Sequence, residues 1–323
     1  MSHEQRSYGS TDVAVVVPVR NEVTTLSALV QILLVQTCPP SKIVLVEAGS
    51  TDGTRGLVSK LVERHEAVEM VDAGPAGPGR ARDVGIGSVD TDLVLLIDAG
   101  MWASEGLMEE LLEPFEGPIR LVLGSRRIQP GSVWRDAAAI TAVKRRLLVD
   151  GLWGRFELTP CVMERRLWVD SGGFQDWRAG EDLEFLNRLD LAEDEVAFAP
   201  RAEVVWDVAL GPVRLFRKWS AYAFHNAQQG SSWHRPVLLW NFGGALVAAV
   251  GASLLGPVGA ALGVWHHLVR TVIRVSRYRT PGDREVGRGP VVLLAAVLAS
   301  VLVDLAVLLG YLRSCLGRAP REW

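Results

Sequence analysis

Polar and charged side chains follow several of the apolar runs in the sequence, and their types are those that bind ligands and transfer protons. Three groups follow apolar runs and a fourth opens a helical pattern: Arg20, Asn21 and Glu22; Glu47, Ser50 and Asp52; Asp98; and Glu181 with Asp182. Carboxylates accept hydrogen bonds from a bound molecule. The segment GEDLEF also places Asp182 at a helix start, where the helix dipole stabilises an ionised carboxylate. These residue types predict a site for a polar ligand.

The elements between these side chains must bring them together. Apolar, β-branched runs predict strands at 13–19, 42–49, 68–73 and 92–98. Helical apolar spacing follows the first run, and a capped amphipathic helix follows the second. Strands that alternate with helices predict an α/β fold with a parallel sheet. Because right-handed crossovers bring the carboxyl ends of parallel strands to one edge, we expect the polar groups to meet there.

Composition and motifs argue against several other classes of protein. The net charge of -3 gives no basic footprint, so we expect no nucleic-acid partner. The three cysteines form no CxxC pair, which argues against a cysteine zinc site and a disulfide framework and favours reduced thiols facing the cytoplasm. The first strand is followed by PVRNE rather than GxGxxG, so a dinucleotide site is not expected.

Five segments, in this order, resemble those of family 2 glycosyltransferases of the GT-A fold: PVRNE, VEAGSTDGT, GPGRARDVGI, LLIDAG and GGFQDWRAGEDLEFLNRL. The resemblance covers roughly residues 13 to 205. One segment alone carries little information, since STDGT can simply be a capped helix start. The ordered set implies a Rossmann-like, mostly parallel sheet with flanking helices that binds a nucleotide-diphosphate-sugar.

The resemblance implies that the first two loops hold the nucleoside. Four side chains would line the base and ribose: Pro18, Arg20, Asn21 and Glu22. Glu47 would accept an imide hydrogen bond from the base. The family commonly has an aspartate pair where this chain has Glu47 and Ala48, so uracil, guanine and thymine all stay open. Ser50 and Asp52 are assigned to the nucleotide as well, although both residue types also cap helices.

The resemblance further implies a grip on the diphosphate. Arg82 opens a predicted helix, and its guanidinium fork suits diphosphate oxygens, with Arg80 as a weaker candidate. In the family two aspartates, Asp-x-Asp, bind a divalent metal after the fourth strand, whereas this chain reads Asp98, Ala99, Gly100. Mg²⁺ or Mn²⁺ needs few protein carboxylates when phosphates and waters complete its octahedron. We therefore predict that Asp98 binds the metal without the second acid.

By the same resemblance Asp182 is the catalytic base. It would take the proton from an acceptor hydroxyl that attacks the anomeric carbon, which inverts the configuration in one displacement. Glu181 would hydrogen-bond the acceptor or a loop, and Arg188 would pair with an acid or a phosphate. Trp177 could stack on a sugar or acceptor, or anchor its loop by packing. A capped helix start with a surface acid is the simpler interpretation of the Glu181–Asp182 pair.

The chain after residue 212 has the composition of a membrane attachment. Residues 213–235 interleave aromatic and basic side chains, which predicts a helix in the membrane interface, although a helix packed on the domain has the same pattern. Two apolar runs, 237–255 and 291–312, are long enough to cross roughly 30 Å of hydrocarbon, and 258–273 is a possible short span. Asp304 in the last run is costly in lipid and so a functional hypothesis.

Charge patterning leaves the number of crossings open. Arginines between 270 and 288 mark that linker as cytoplasmic and favour three crossings, whereas the C-terminal arginines favour a two-span hairpin. The predicted domains are a flexible N-terminus (1–12), the GT-A domain (13–212), the interfacial helix (213–235) and membrane-associated helices (236–323). We expect the inner membrane as the location, with the GT-A domain facing the cytoplasm.

The expected function is sugar transfer from a nucleotide-diphosphate-sugar to a lipid-linked or glycan acceptor, for cell-surface polysaccharide or glycolipid synthesis. The arrangement of a GT-A domain before apolar helices resembles bacterial exopolysaccharide transferases of the succinoglycan-biosynthesis type. Two alternatives remain. Gly100 and Ala48 are compatible with a catalytically silent sensor or scaffold that binds the nucleotide-sugar at the membrane. A nucleotidyltransferase is disfavoured because the glycine-rich loop after the first strand is missing.

Overall fold

The computed structural model describes residues 13–115, 117–129, 131–142, 148–149, 152–153, 158–206, 211–228 and 289–318, with scattered positions between 246 and 273. The chain divides into two compact units. The first unit comprises residues 1–127 and 145–207, and the second comprises residues 128–144 and 208–323. The predicted first domain, 13–212, thus contains two segments, 128–144 and 208–212, that belong to the second unit.

A large mixed sheet forms the centre of the first unit. Its strands are β1 (Val13–Val19), β2 (Lys42–Glu47), β3 (Val68–Asp72), β4 (Leu93–Leu96), β5 (Met101–Ala103), β6 (Leu121–Ile128), β9 (Cys161–Glu164) and β10 (Val196–Trp206), while β7 (Leu148–Val149) and β8 (Leu152–Trp153) pair separately. The order is β3-β2-β1-β4-β9-β6-β10-β5. Neighbours from β3 to β4 run parallel, whereas β9 is antiparallel to both β4 and β6.

Helices cover both faces of this sheet. In chain order they are α1 (Leu26–Leu34), α2 (Thr54–Arg64), α3 (Pro78–Gly87), α4 (Leu107–Leu112), α6 (Arg165–Ser171) and α7 (Glu181–Arg188). Successive side chains of β1 point to opposite faces of the sheet, and both sets are buried because helices cover both faces. The odd-numbered valines of β1 pack with α1, α2 and α4, whereas Ala14 and Val16 pack with α3, α6 and α7. The sheet is therefore the middle of three layers. The loops that carry the polar residues start from strands that are held between two layers of helices.

The sequence prediction for this unit is confirmed in its main features. The predicted strands at 13–19, 42–49, 68–73 and 92–98 correspond to β1 to β4. All four are parallel neighbours, so their carboxyl ends do lie at one edge. The antiparallel strands that extend the sheet beyond β4 were not predicted individually.

The second unit contains α5 (Val133–Ala142), α8 (Pro212–Gln228) and α9 (Pro290–Cys315). Side chains from all three helices share one apolar cluster around Ala138, Leu215 and Val303. Helices α8 and α9 approach closely at Gly310, where an added Cβ would lie 2.8 Å from the Cβ of Ala223. A small residue at this position is therefore required by the packing.

Helix α9 contains the predicted span 291–312, and within the described residues it is the helix long and apolar enough to cross a membrane. At 1.5 Å per residue its 26 residues extend about 39 Å. Most of the predicted span 237–255 and half of the possible span 258–273 fall on residues outside the described part of the chain. Asp304 lies in α9 and is half-buried.

Candidate active site

The loops after β1 and β2 are held to each other by hydrogen bonds. The backbone N–H of Asn21 donates to Oγ of Ser50 over 3.1 Å, and the backbone N–H of Thr51 donates to Oδ1 of Asn21 over 2.8 Å. Asn21 adopts a positive φ of 58°, which asparagine tolerates better than most residues. Pro18 and Arg20, half-buried, flank the end of β1, and Pro18 lies opposite Val46 of β2. The structure thus brings together the residues predicted to line the nucleoside.

Asp52 ties the same two loops to helix α2. Its Oδ1 accepts from the backbone N–H of Thr54 over 3.0 Å, and its Oδ2 accepts from the N–H of Val23 over 3.4 Å. The hydroxyl of Thr54 also accepts from the N–H of Glu22 over 2.9 Å. Asp52 therefore satisfies a free amide in the first turn of α2, although the N-cap residue of that helix is Gly53 rather than Ser50 or Asp52.

Glu47 is buried and already engaged by its own loop. Its Oε1 accepts from the backbone N–H of Ser50 over 2.6 Å, and its Oε2 pairs with Nη1 of Arg55 over 3.1 Å. Burial would raise the pKa of Glu47, but the hydrogen bonds from Ser50 and the charge of Arg55 outweigh it and hold the pKa below its ordinary value. Each carboxylate oxygen has a second lone pair for the predicted base contact, but the Glu47 side chain is only 1% exposed. The sequence did not single out Arg55.

A buried arginine joins three elements at the centre of the site. Nη1 of Arg82, on α3, lies 2.7 Å from Oε1 of Glu181, and its Nη2 lies 3.0 Å from Oδ1 of Asp98. The Arg82 side chain is 5% exposed, against 40% for Asp98. Oδ2 of Asp98 accepts from the hydroxyl of Thr159 over 3.0 Å. Arg82, the predicted ligand of the diphosphate, therefore already donates to two acids. Any contact to phosphate would use its remaining N–H groups.

Electrostatics differ between the two acids that Arg82 joins. Burial, followed by the charge of Asp182, raises the pKa of Glu181 to about 7, against the opposing charge of Arg82. Burial also acts to raise the pKa of Asp98. The charges of Arg82 and Arg126, and the hydrogen bonds that Asp98 accepts from Arg82 and Thr159, hold that pKa below its ordinary value. Arg126 reaches Thr159 with hydrogen bonds of 2.9 Å. The end of β4 thus carries a stable negative charge.

Asp182 lies in the first turn of α7 and is half-buried. Its Oδ1 accepts from the backbone N–H of Leu183 over 2.8 Å. Helix α3 packs directly against this turn at Gly79, where an added Cβ would lie 2.3 Å from the carbonyl oxygen of Gln175 and 3.2 Å from Cγ of Glu181. The close approach of α3 therefore sets the position of the two acids that open α7.

The loop before α7 is fixed by side chains that the sequence did not predict for this role. Asp83 accepts from the indole N–H of Trp168 over 2.6 Å and from the backbone N–H of Phe174 over 2.8 Å. Arg188 forms a two-pronged pair with Glu184 and also donates to backbone carbonyls of the same loop. Arg188 thus pairs with an acid, one of the two predicted options. Trp177, half-buried, lies in this loop, and its stacking on a sugar or acceptor stays a prediction.

The residues present fit a divalent cation that completes its shell with substrate. Among the described residues no three His, Cys, Asp or Glu side chains gather as a metal site. Mg²⁺ needs only one or two carboxylates when phosphates and waters supply the rest. Asp98 offers one, and the Glu22 carboxylate lies beside Gly100, with Oε1 3.3 Å from where a Cβ would stand. The donor set is hard oxygen, as Mg²⁺ and Mn²⁺ prefer.

Comparisons with known proteins agree with this geometry. Residues 14–171 match the family model described as glycosyl transferase family 2. Uncharacterized glycosyltransferases of Mycobacterium bovis and Mycobacterium tuberculosis are 29% identical over 197 residues, which cover 58% of this chain and 86% of each relative. The mannosyltransferase PcManGT from Pyrobaculum calidifontis, solved with GDP-Man and Mn²⁺, has a TM-score of 0.56 at 15% identity and covers 95% of this chain and 88% of its own. That likeness confirms the predicted GT-A fold.

Proposed function

From the premise that the chain belongs to glycosyltransferase family 2, we propose that it transfers a sugar from a nucleotide-diphosphate-sugar to a hydroxyl of a lipid-linked or glycan acceptor, with inversion. One observation carries the proposal. Arg82 joins the helix start that bears Asp182 to the strand end that bears Asp98, because it donates hydrogen bonds of 2.7 Å to Glu181 and 3.0 Å to Asp98. This connection holds Asp182, the acid for the acceptor, and Asp98, the acid for the donor, in one arrangement.

The chemistry follows from the places of these two acids. Asp182 accepts the proton of the acceptor hydroxyl on a carboxylate oxygen while that hydroxyl oxygen forms its bond to the anomeric carbon. The bond from the anomeric carbon to the phosphate oxygen breaks in the same displacement, and its electron pair leaves with the nucleoside diphosphate. Holding both partners in line lowers the barrier by removing their translational freedom before the reaction. No covalent intermediate on the protein is required.

The leaving diphosphate needs positive charge near Asp98. A divalent cation bound there would neutralise charge that develops on the phosphate oxygens. The protein's own contribution is fixed in advance, because Arg82 is buried and held by two acids and Arg126 lies close enough to lower the pKa of Asp98. The paired loops after β1 and β2 supply the polar groups for base and ribose. Their mutual hydrogen bonds support a nucleoside pocket that is formed before the donor arrives.

We also propose that the second unit attaches the protein to the cytoplasmic face of the inner membrane, for synthesis of a cell-surface polysaccharide or glycolipid. One face of α9 exposes a stripe of large apolar side chains at helical spacing, among them Leu294, Leu298 and Leu305, each more than half exposed. The helix is longer than the roughly 30 Å hydrocarbon core. Basic and aromatic residues on α8 support an interfacial position for that helix.

A thermal-shift panel tests the donor class. Full-length protein in detergent is melted with UDP, GDP and dTDP, and with their sugars, each with Mn²⁺ and with a chelator. GDP-mannose is included because the structure of PcManGT contains it. A ligand at 100 times its dissociation constant stabilises the folded state by about 2.7 kcal/mol, so one base should stand out. If no nucleoside diphosphate or nucleotide-sugar raises the melting temperature, the proposed function is wrong.

A further inference from the structure

A carboxylate from another loop stands where the second metal-binding acid is missing. A Cβ on Gly100 would lie 3.3 Å from Oε1 and 3.6 Å from Oε2 of Glu22. An aspartate at this position would direct its own carboxylate into the same space. Gly100 is not among the glycines with positive φ in the described residues, so the backbone itself does not demand glycine. The absence of a side chain at 100 therefore leaves room for Glu22.

Glu22 is held in this place by side chains of two elements. Its backbone N–H donates to the hydroxyl of Thr54 on α2 over 2.9 Å, and the hydroxyl of Thr25 donates to Oε2. These contacts fix both the loop and the carboxylate. Glu22 is half-buried, so its charge is not fully screened by water. The carboxylate held in this way lies beside Gly100, two positions after Asp98 in the same loop.

We infer that Glu22 is the second protein carboxylate for the divalent cation that accompanies the nucleoside diphosphate, and that it replaces the acid that Gly100 lacks. The inference rests on the proposed function, since the cation is expected only with a bound diphosphate. Asp98 and Glu22 supply two hard oxygen ligands, and phosphate oxygens and waters supply the others. The second acid has therefore moved from the β4 loop to the β1 loop.

The same geometry explains why glycine and glutamate occur together. An aspartate at 100 would bring a further carboxylate within contact distance of Glu22 and near Asp98. Like charges at that distance disfavour each other's ionised forms. One acid at either position is thus compatible with the site. Exchange of the acid between the two positions should preserve metal binding.

Mn²⁺ titration of the full-length protein in detergent, followed by electron paramagnetic resonance, tests this exchange. The titration is done with Mn²⁺ alone and with GDP or UDP present. We expect Glu22→Gln to weaken Mn²⁺ binding at least about tenfold, since even outer-shell changes cost 10- to 100-fold. The double variant Glu22→Gln/Gly100→Asp should recover most of that loss. Glu63→Gln, an exposed acid on α2, is the matched control and should leave binding unchanged.

The outcomes separate the inference from the function on which it rests. If Glu22→Gln binds Mn²⁺ as the wild type does, or if adding Gly100→Asp fails to restore Mn²⁺ binding, Glu22 is not a metal ligand. Failure of rescue with weaker nucleotide binding would assign Glu22 to the ribose instead. If the wild type binds nucleotide in the presence of a chelator but never binds Mn²⁺, the inference about Glu22 is wrong, whereas the proposed sugar transfer is not contradicted. If it binds no nucleotide at all, the proposed function itself has failed. Circular dichroism of each variant shows whether it is folded.

Discussion

Replacing the buried Glu181 by glutamine should remove a specific pH dependence of stability. Burial and the charge of Asp182 raise the pKa of Glu181 from an ordinary value of 4.5 to about 7 in the folded protein. Between these values folded Glu181 keeps a proton that the unfolded chain has lost. The free energy of unfolding therefore falls as pH rises through this interval and changes no further above it. Glutamine cannot ionise, so the variant lacks this loss.

The size of the effect follows from the same two values. From pH 5.5 to the folded pKa of about 7 there remain about 1.5 pKa units, which correspond to about 2 kcal/mol. The difference in free energy of unfolding between Glu181→Gln and wild type should therefore shift by about 2 kcal/mol in favour of the variant between pH 5.5 and pH 8. Any constant cost of the substitution cancels, because it is the same at both pH values.

Urea unfolding of full-length protein in detergent at the two pH values, followed by tryptophan fluorescence, measures this shift. The exposed control Glu63→Gln should run parallel to wild type. If Glu181→Gln and wild type also run parallel, Glu181 is ionised throughout the interval. The buried ion pair with Arg82 would then dominate over burial, and the reasoning above would be refuted.

Substitutions at Asp83 and Gly79 test how the loop before α7 is held. Asp83→Ala removes the acceptor for the Trp168 indole and the Phe174 amide and should cost about 1–3 kcal/mol, whereas Asp83→Asn keeps an acceptor oxygen and should cost less; urea midpoints compare them. Gly79→Ala places a methyl group 2.3 Å from a carbonyl oxygen and should destabilise by about 1–3 kcal/mol. Gly56→Ala on α2 meets nothing within 4 Å and should instead stabilise by about 0.5–1 kcal/mol, so equal melting temperatures for the two glycine variants would contradict this packing.

Local patterns in the sequence were sufficient to predict the parallel half of the fold. β-branched runs marked β1 to β4, and the acids of GEDLEF marked the start of α7 at Glu181. The edge at which the polar loops meet follows from the handedness of the crossovers and needs no tertiary information. The antiparallel strands β6, β9 and β10 lack such a rule, because their pairing depends on contacts between distant parts of the chain.

The network inside the site could not be predicted in the same way. Arg82 meets Glu181 across 99 positions of sequence, and Thr159 meets Asp98 across 61. No periodicity encodes such pairs. The sequence predicted Arg82, Asp98 and Glu181 as site residues, but not that Arg82 pairs with both acids. Thr159 and Arg126 belong to no recognised motif. An arginine near the end of an apolar strand, such as Arg126, is nevertheless a signal in the sequence that an acidic partner lies nearby.

The base that receives the acceptor proton is the centre of the account, and Asp182→Asn tests it directly. Asparagine keeps the shape of the side chain and an oxygen for the Leu183 amide but cannot accept the proton. Initial rates with the donor identified by thermal shift, alongside donor affinity and melting temperature, are compared with wild type. We predict a fall in kcat of at least about 100-fold, the usual contribution of general base catalysis, with donor affinity and folding retained. Full activity in a folded Asp182→Asn protein would contradict the assignment and move the search for the base to Glu181.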